Sequence, residues 1–199
     1  MSDKTIILIS REYGSGGRGI GERIAKELNI PFYDKELIRL ACQESGFDIS
    51  LFEKADVENK NPISYFLSMY SATMTPSDLS LNDQVFLIQS KVIRDLAKNS
   101  CVIIGRCADY ILRDNENAVK IFIHADLEDR IERVIDEYKD EDDNIKEKIR
   151  RIDKNRSTYY NYYSNKRWGN LENYDLSLNT SKIDPDTCVE LIKNIVKNK

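Results

Sequence analysis

The sequence predicts an α/β protein: a three-layer fold in which a parallel sheet lies between helices. Three observations carry this. Short apolar, β-branched runs recur along the chain, as strands buried on both faces of a parallel sheet require. Segments with apolar residues at three- and four-residue steps alternate with them, which implies right-handed crossovers. Between the first run and the first helical segment lies a dense cluster of glycines, Gly14, Gly16, Gly17, Gly19 and Gly21, five of the chain's eight.

The elements follow in order. Thr5 to Ile9 reads as the first strand, and Arg18 to Leu28 as a helix with Ile20, Ile24, Ala25 and Leu28 on one face, ending at Asn29. Ile30 to Tyr33 reads as a short second strand, and Asp34 stands where an N-cap belongs, before Leu37, Ile38, Leu40 and Ala41. From residue 46 to 80 the pattern weakens. Asn61-Pro62 and Thr75-Pro76 are turn signals around an aromatic cluster at residues 65–70, read either as a mobile helical lobe over the site or as a poorly patterned part of the core. Ser80 to Ala97 is a clear amphipathic helix. Cys101 to Ile104 and Val119 to Ile123 are the third and fourth strands.

Asp126 caps a helix running to Tyr138, with Leu127, Ile131, Val134 and Ile135 expected inward. Residues 140–163 read as one long charged helix, and Tyr174 to Leu178 as the fifth strand. Asp184-Pro185, a cap followed by proline at the first helical position, opens the last helix.

At 199 residues the chain suits one domain, perhaps with a small inserted lobe. A net charge of −4 argues against a dedicated nucleic-acid binder. No apolar run approaches the roughly 18 residues that mark a membrane span. Cys42, Cys101, Cys107 and Cys188 have no metal-ligand spacing and are expected as reduced thiols in a cytoplasmic protein. His124, the single histidine, follows an apolar run and is expected to be structural, and no metal-binding set is assigned. Tyr159, Tyr160, Tyr162, Tyr163, Trp168 and Tyr174, mixed with Lys166 and Arg167, suit a base-stacking surface, a lid interface or a homo-oligomer contact.

The chemistry is concentrated in Ser10 to Gly21. A strand, a glycine-rich turn and a helix N-terminus cradle phosphate, because glycines let backbone N–H groups approach the oxygens and the helix end adds partial positive charge. Gly14, Ser15, Gly16, Gly17, Arg18 and Gly19 are therefore the candidate phosphate-binding residues. The loop is irregular: aligned to G-x-x-x-x-G-K-[ST], Arg11 takes the place of the first glycine, Gly17 of the lysine and Arg18 of the hydroxyl. A dinucleotide reading through Gly14, Gly16 and Gly19 is weaker, because Asp34 is the sole acidic residue near the required distance. Ligands of parallel sheets bind beyond the carboxyl ends of the strands, where the glycine loop, Asp34 and Gly105-Arg106 should converge.

Through residues 10–17, 30–38, 102–110, 121–126 and 151–156 the chain resembles the cytidylate kinase-like family, within the phosphate-loop nucleoside monophosphate kinases. The resemblance implies a sheet of order 2-3-1-4-5, an acceptor-binding lobe (about residues 46–80), and an arginine-bearing lid (about residues 140–170). It also implies a function: transfer of the γ-phosphoryl of ATP to a nucleoside monophosphate or similar small phosphorylated acceptor. By position, Arg106 resembles the arginine that grips the acceptor phosphate, and Asp153 and Arg156 resemble the acid and arginine of the lid helix. Asp34 and, one position out of register, Arg39 are further acceptor-side candidates. Arginine forks match phosphate oxygens and stabilise charge on a transferring phosphoryl group.

The departures are equally specific. Gly17 stands at the lysine, Ile104 and Cys107 at the two acids beside the strand-three Gly-Arg, and the usual Mg²⁺ ligands are not evident. The alternative reading is a nucleotide-binding sensor that has lost turnover. A non-enzymatic interaction protein would have no use for the glycine loop. Arg18, next to the vacant lysine position, is the sequence's candidate for the replacement cation.

Overall fold

The structure, a computed structural model, describes residues 4–35, 39, 43 and 80–198. The chain falls into two compact units, residues 1–34 with 97–199, and residues 35–96. Most of the helix expected after Asp34, and the lobe expected over residues 46–80 up to residue 79, lie outside the described residues.

The first unit opens with β1 (Ile6–Arg11), α1 (Gly17–Leu28) and the two-residue β2 (Phe32–Tyr33), shorter than expected. Asn29, in the left-handed conformation, closes α1: its N–H and that of Ile30 return to the carbonyls of Lys26 and Ala25. In the second unit, α2 (Leu81–Leu96) begins at Ser80, whose hydroxyl accepts from the Asp83 N–H at 3.2 Å. The first unit then resumes with β3 (Cys101–Ile104), α3 (Ala108–Ile111), β4 (Ala118–His124), α4 (Leu127–Asp136), α5 (Ile145–Ser164), a 3₁₀ turn (Leu171–Asn173), β5 (Leu176–Asn179) and α6 (Pro185–Lys197). Asp184 caps α6, accepting from the Thr187 N–H at 2.9 Å, as its sequence predicts.

All five strands are parallel in the order β2-β3-β1-β4-β5. β1 is central: Ile6 to Ile9 pair with Cys101 to Ile104 on one side and with Ala118 to Ile121 on the other. Ile7, Ile9, Val102, Ile104, Ile121 and Ile123 project from the sheet into one cluster with Ile20 and Ile24 of α1 and Val189 and Ile192 of α6. Burying each such side chain stabilises the fold by about 1.5–3 kcal/mol, which is why these runs are apolar on every residue. This is the strand order that the family resemblance implies.

Two details differ from expectation. Residues 140–144 are not helical. The side chains of Asp140, Asp142 and Asn144 each accept a backbone N–H two or three residues on (Asp142, Asn144 and Glu147), and these local bonds compete with the helix until Asn144 caps α5. Ile135 is 47% exposed rather than inward, because α4 turns Val134, Ile131 and Leu127 towards α5 and Tyr13.

Candidate active site

The chain leaves β1 at Arg11 and enters α1 at Gly17, and the loop between carries two left-handed glycines, Gly14 (φ 80°) and Gly16 (φ 76°). Gly14 is also held by contact: a Cβ there would lie 2.8 Å from the Arg130 carbonyl oxygen. The loop's carbonyls are fastened from behind. Arg133 donates to Gly14 O at 2.7 Å, Arg130 to Tyr13 O at 3.3 Å, Thr180 to Ser15 O at 2.9 Å and Arg156 to Arg11 O at 3.0 Å. The first N–H groups of α1 have no partner within the helix, so the fastened loop presents a helix N-terminus suited to an anion. Tyr138, 42% exposed and edge-on to Tyr13, brings its hydroxyl to the Gly16 N–H. Among the described residues, nothing lies within 4 Å of where a Cβ on Gly19 would stand.

At the neighbouring strand end, Gly105, Arg106 and Cys107 are all left-handed (φ 71°, 55° and 53°). Two consecutive non-glycine residues in this region cost of order 1–2 kcal/mol each, and such strain is characteristic of functional sites. The turn fixes Arg106 at the carboxyl end of β3 and buries Cys107 beneath it. Burial raises the Cys107 thiol, which rules it out as a thiolate at neutral pH.

Arg106 shares this corner with Arg11 and Arg156. Burial, and then the charges of Arg156 and Arg106, pull Arg11 down to about 9, against a smaller upward effect of Asp34. It remains cationic at neutral pH. Burial likewise lowers Arg156, whose guanidinium lies over the Tyr13 ring. Of the cluster of basic residues on α5, Arg156 turns inward, whereas Arg150, Arg151 and Lys154 are exposed.

Arg18 points elsewhere. Its guanidinium binds Asp34 at 3.0 Å and Glu22 at 3.0 Å, over the Phe32 ring, with its side chain 57% exposed. Asp153 is engaged within the protein, with Arg156 Nη1 3.7 Å from it. One oxygen accepts the Tyr13 N–H at 2.8 Å and the other Arg130 at 2.5 Å. Ser15 is fully buried, its hydroxyl turned onto Glu12 O at 2.9 Å. Arg39 belongs to the other unit. Asp34, Arg106 and Arg156 thus come together around Arg11, Arg18 meets Asp34 at the rim, and Asp153 works behind the loop.

Arg11, Arg130, Arg133 and Tyr138 were missed from sequence. A signal existed for two of them: Arg130 and Arg133, three residues apart, precede Val134 by four and one positions, near the inward face of α4. Trp168 and Tyr174 pack on Phe122 with ring centroids 5.3 and 5.0 Å away, and His124 stacks on the same ring. These aromatics fill the edge of the sheet.

The described residues do not fit a protein-held Mg²⁺. Ser15 is committed to Glu12, Asp153 to Tyr13 and Arg130, and Asp34 to Arg18; among the described residues no group of three His, Cys, Asp or Glu is placed to hold a metal. No helix among them is long and apolar enough to cross a membrane.

The sequence profile of the cytidylate kinase-like family matches residues 6–182. An uncharacterized protein from Eubacterium ventriosum ATCC 27560, of known structure, is 27% identical with a TM-score of 0.75, over 98% of this chain and 100% of that one. Shikimate kinase from Acinetobacter baumannii, in complex with shikimate, is 15% identical with a TM-score of 0.53, over 98% and 95% of the two chains. A gluconokinase from Sinorhizobium meliloti 1021 is 10% identical with a TM-score of 0.52, over 100% and 97%. At those identities the two kinases speak to the fold alone. No curated protein matches the chain.

Proposed function

Because the chain belongs to the cytidylate kinase-like family, we propose that it is a phosphotransferase moving the γ-phosphoryl of ATP to a nucleoside monophosphate or similar small phosphorylated acceptor. One observation carries this reading: Arg106, from the turn after β3, and Arg156, from α5, stand with Arg11 beside the phosphate-type loop in a corner where positive charge exceeds negative. Guanidiniums crowded together and partly desolvated repel one another, and a phosphoryl group passing between donor and acceptor offsets that repulsion.

In this account the backbone of Gly14 to Gly19 holds the donor phosphates, with Ser15 setting the shape of the loop. Arg106 and Arg156 grip the acceptor phosphate. Asp34 lines the acceptor side, next to Arg11. Arg18 would first have to release Asp34 and Glu22 to reach a phosphate. Asp153 acts by positioning, through the loop backbone.

A nucleotide sensor without turnover is the second reading, favoured by Gly17 at the lysine position. Calorimetric titration with ATP and with nucleoside monophosphates tests both. Binding of ATP together with a monophosphate, the latter weakened in Arg106→Ala, is expected of the phosphotransferase; binding of neither contradicts both readings.

A further inference from the structure

Position 17 lacks a side chain for a reason visible in its surroundings. A Cβ on Gly17 would lie 2.8 Å from Arg11 Cβ and 3.3 Å from Arg11 Cγ. The stem of Arg11 therefore fills the volume into which a side chain at position 17 would grow. At its far end the same residue meets a second glycine: a Cβ on Gly105 would collide with Arg11 Nη1. Two glycines from different places, the first residue of α1 and the residue that follows β3, thus border one arginine. Gly105 is in addition left-handed, so it would be strained with any other residue.

The electrostatics are unusual for a structural arginine. Arg11 ends β1, where Arg11 pairs with Ile123 of β4, and its guanidinium faces Arg106, Arg156 and Asp34, with Tyr138 nearby. Asp34 already accepts from Arg18. Arg11 is half-buried, and a cation partly withdrawn from water ordinarily has a dedicated counter-charge to offset its desolvation. Here two of the neighbours carry the same sign.

We infer that Arg11 is the phosphate-facing cation of the glycine loop, reaching from the end of β1 through the space left by Gly17 to the oxygens between the loop and Arg106. The cation of the loop has moved rather than vanished, from the first helical residue to the last residue of the preceding strand. The inference rests on the phosphotransferase reading only in requiring that the loop bind a phosphate chain. A planar fork also differs from an ammonium: it meets two oxygens at once and fixes their orientation.

The test is calorimetric titration with ATP and with inorganic tripolyphosphate of the parent, Arg11→Met, Arg11→Lys and the exchange variant Arg11→Gly/Gly17→Lys, with thermal unfolding of each. Met keeps most of the stem and removes the charge. A loss of about ten- to a hundred-fold in affinity for both ligands is expected in Arg11→Met, the range for a charge-assisted contact. Arg11→Lys should retain part of the affinity. The exchange variant, with the lysine restored and the Arg11 stem removed so that Ile123 Cβ, at 3.2 Å, is the remaining close neighbour, should recover to within several-fold of the parent. If a folded Arg11→Met binds like the parent, Arg11 is a packing residue and the inference fails, while the phosphotransferase reading stands. Should Arg11→Met not fold, an exchange variant that folds but binds no tighter than Gly17→Lys alone overturns the inference equally. A parent that binds neither ligand overturns both.

Discussion

The Asp153 carboxylate on α5 accepts the backbone N–H of Tyr13 at 2.8 Å, across 140 residues of sequence. Its other oxygen takes Arg130, whose guanidinium also reaches Tyr13 O at 3.3 Å and stands 3.6 Å from Glu12. The N–H and the carbonyl of one residue, in the two successive peptides that Tyr13 joins, are therefore held by a single ion pair between α4 and α5. A phosphate-binding loop works by preorganisation, with N–H groups already aimed where charge develops. This clip supplies it from behind.

Asp153→Ala should therefore destabilise the protein by about 3 kcal/mol in urea unfolding, because it strands a buried guanidinium as well as the Tyr13 N–H. Asp153→Asn, which keeps an acceptor for Tyr13, should cost less. Equal stability of Asp153→Ala and the parent would show that the clip does not hold the loop.

Arg106→Gly and Arg106→Ala should both lose acceptor binding yet differ in stability. With φ at 55°, glycine relieves the left-handed strain, so Arg106→Gly should be more stable than Arg106→Ala by about 1 kcal/mol. In an ordinary backbone conformation glycine would be the less stable of the two, and that order would contradict the strained turn.

Arg106→Ala and Arg156→Ala should each weaken acceptor binding more than ATP binding, by about 1.5–3 kcal/mol for a lost charge-assisted contact. Calorimetry decides this; an equal fall in both affinities would remove the acceptor-side assignment.

Asp109, buried on α3 with Tyr160, Tyr174 and Cys107 around it, has its carboxyl raised above 3.8, chiefly by burial, against smaller opposing effects from the Tyr160 hydroxyl and Lys120. Both states are protonated below pH 3.8, and the native state is increasingly penalised as pH climbs from there through the raised folded value. Asp109→Asn does not titrate. Its stability relative to the parent should therefore rise with pH over that window and level off above it. A flat difference across the window would place the carboxyl in a more polar setting than the structure gives it.

Much of the sheet was legible because burial on both faces leaves no polar residue in Ile6 to Ile9 or Cys101 to Ile104, and Asp184-Pro185 marks its helix start unambiguously. The start of α5 was not, because the bonds from Asp140, Asp142 and Asn144 that delay it are local choices a charge pattern does not reveal. In the site, the glycines and Arg106 could be read from strand-end position. Arg11 could not: the role proposed for it rests on its stem lying against Gly17 and its guanidinium against Gly105, a three-dimensional fact. Asp153 was read, from the family resemblance, as the acid of the lid helix; that it meets Tyr13 and Arg130 is a tertiary contact that position along a helix does not reveal.

The most direct test of the account is acceptor-dependent ADP formation from ATP, measured across a panel of nucleoside monophosphates for the parent and Arg106→Ala. The account predicts ADP release that depends on one class of acceptor and collapses in Arg106→Ala while ATP still binds. ATP binding with no acceptor-dependent release from any member of the panel would contradict it, and would leave the loop as the nucleotide site of a sensor.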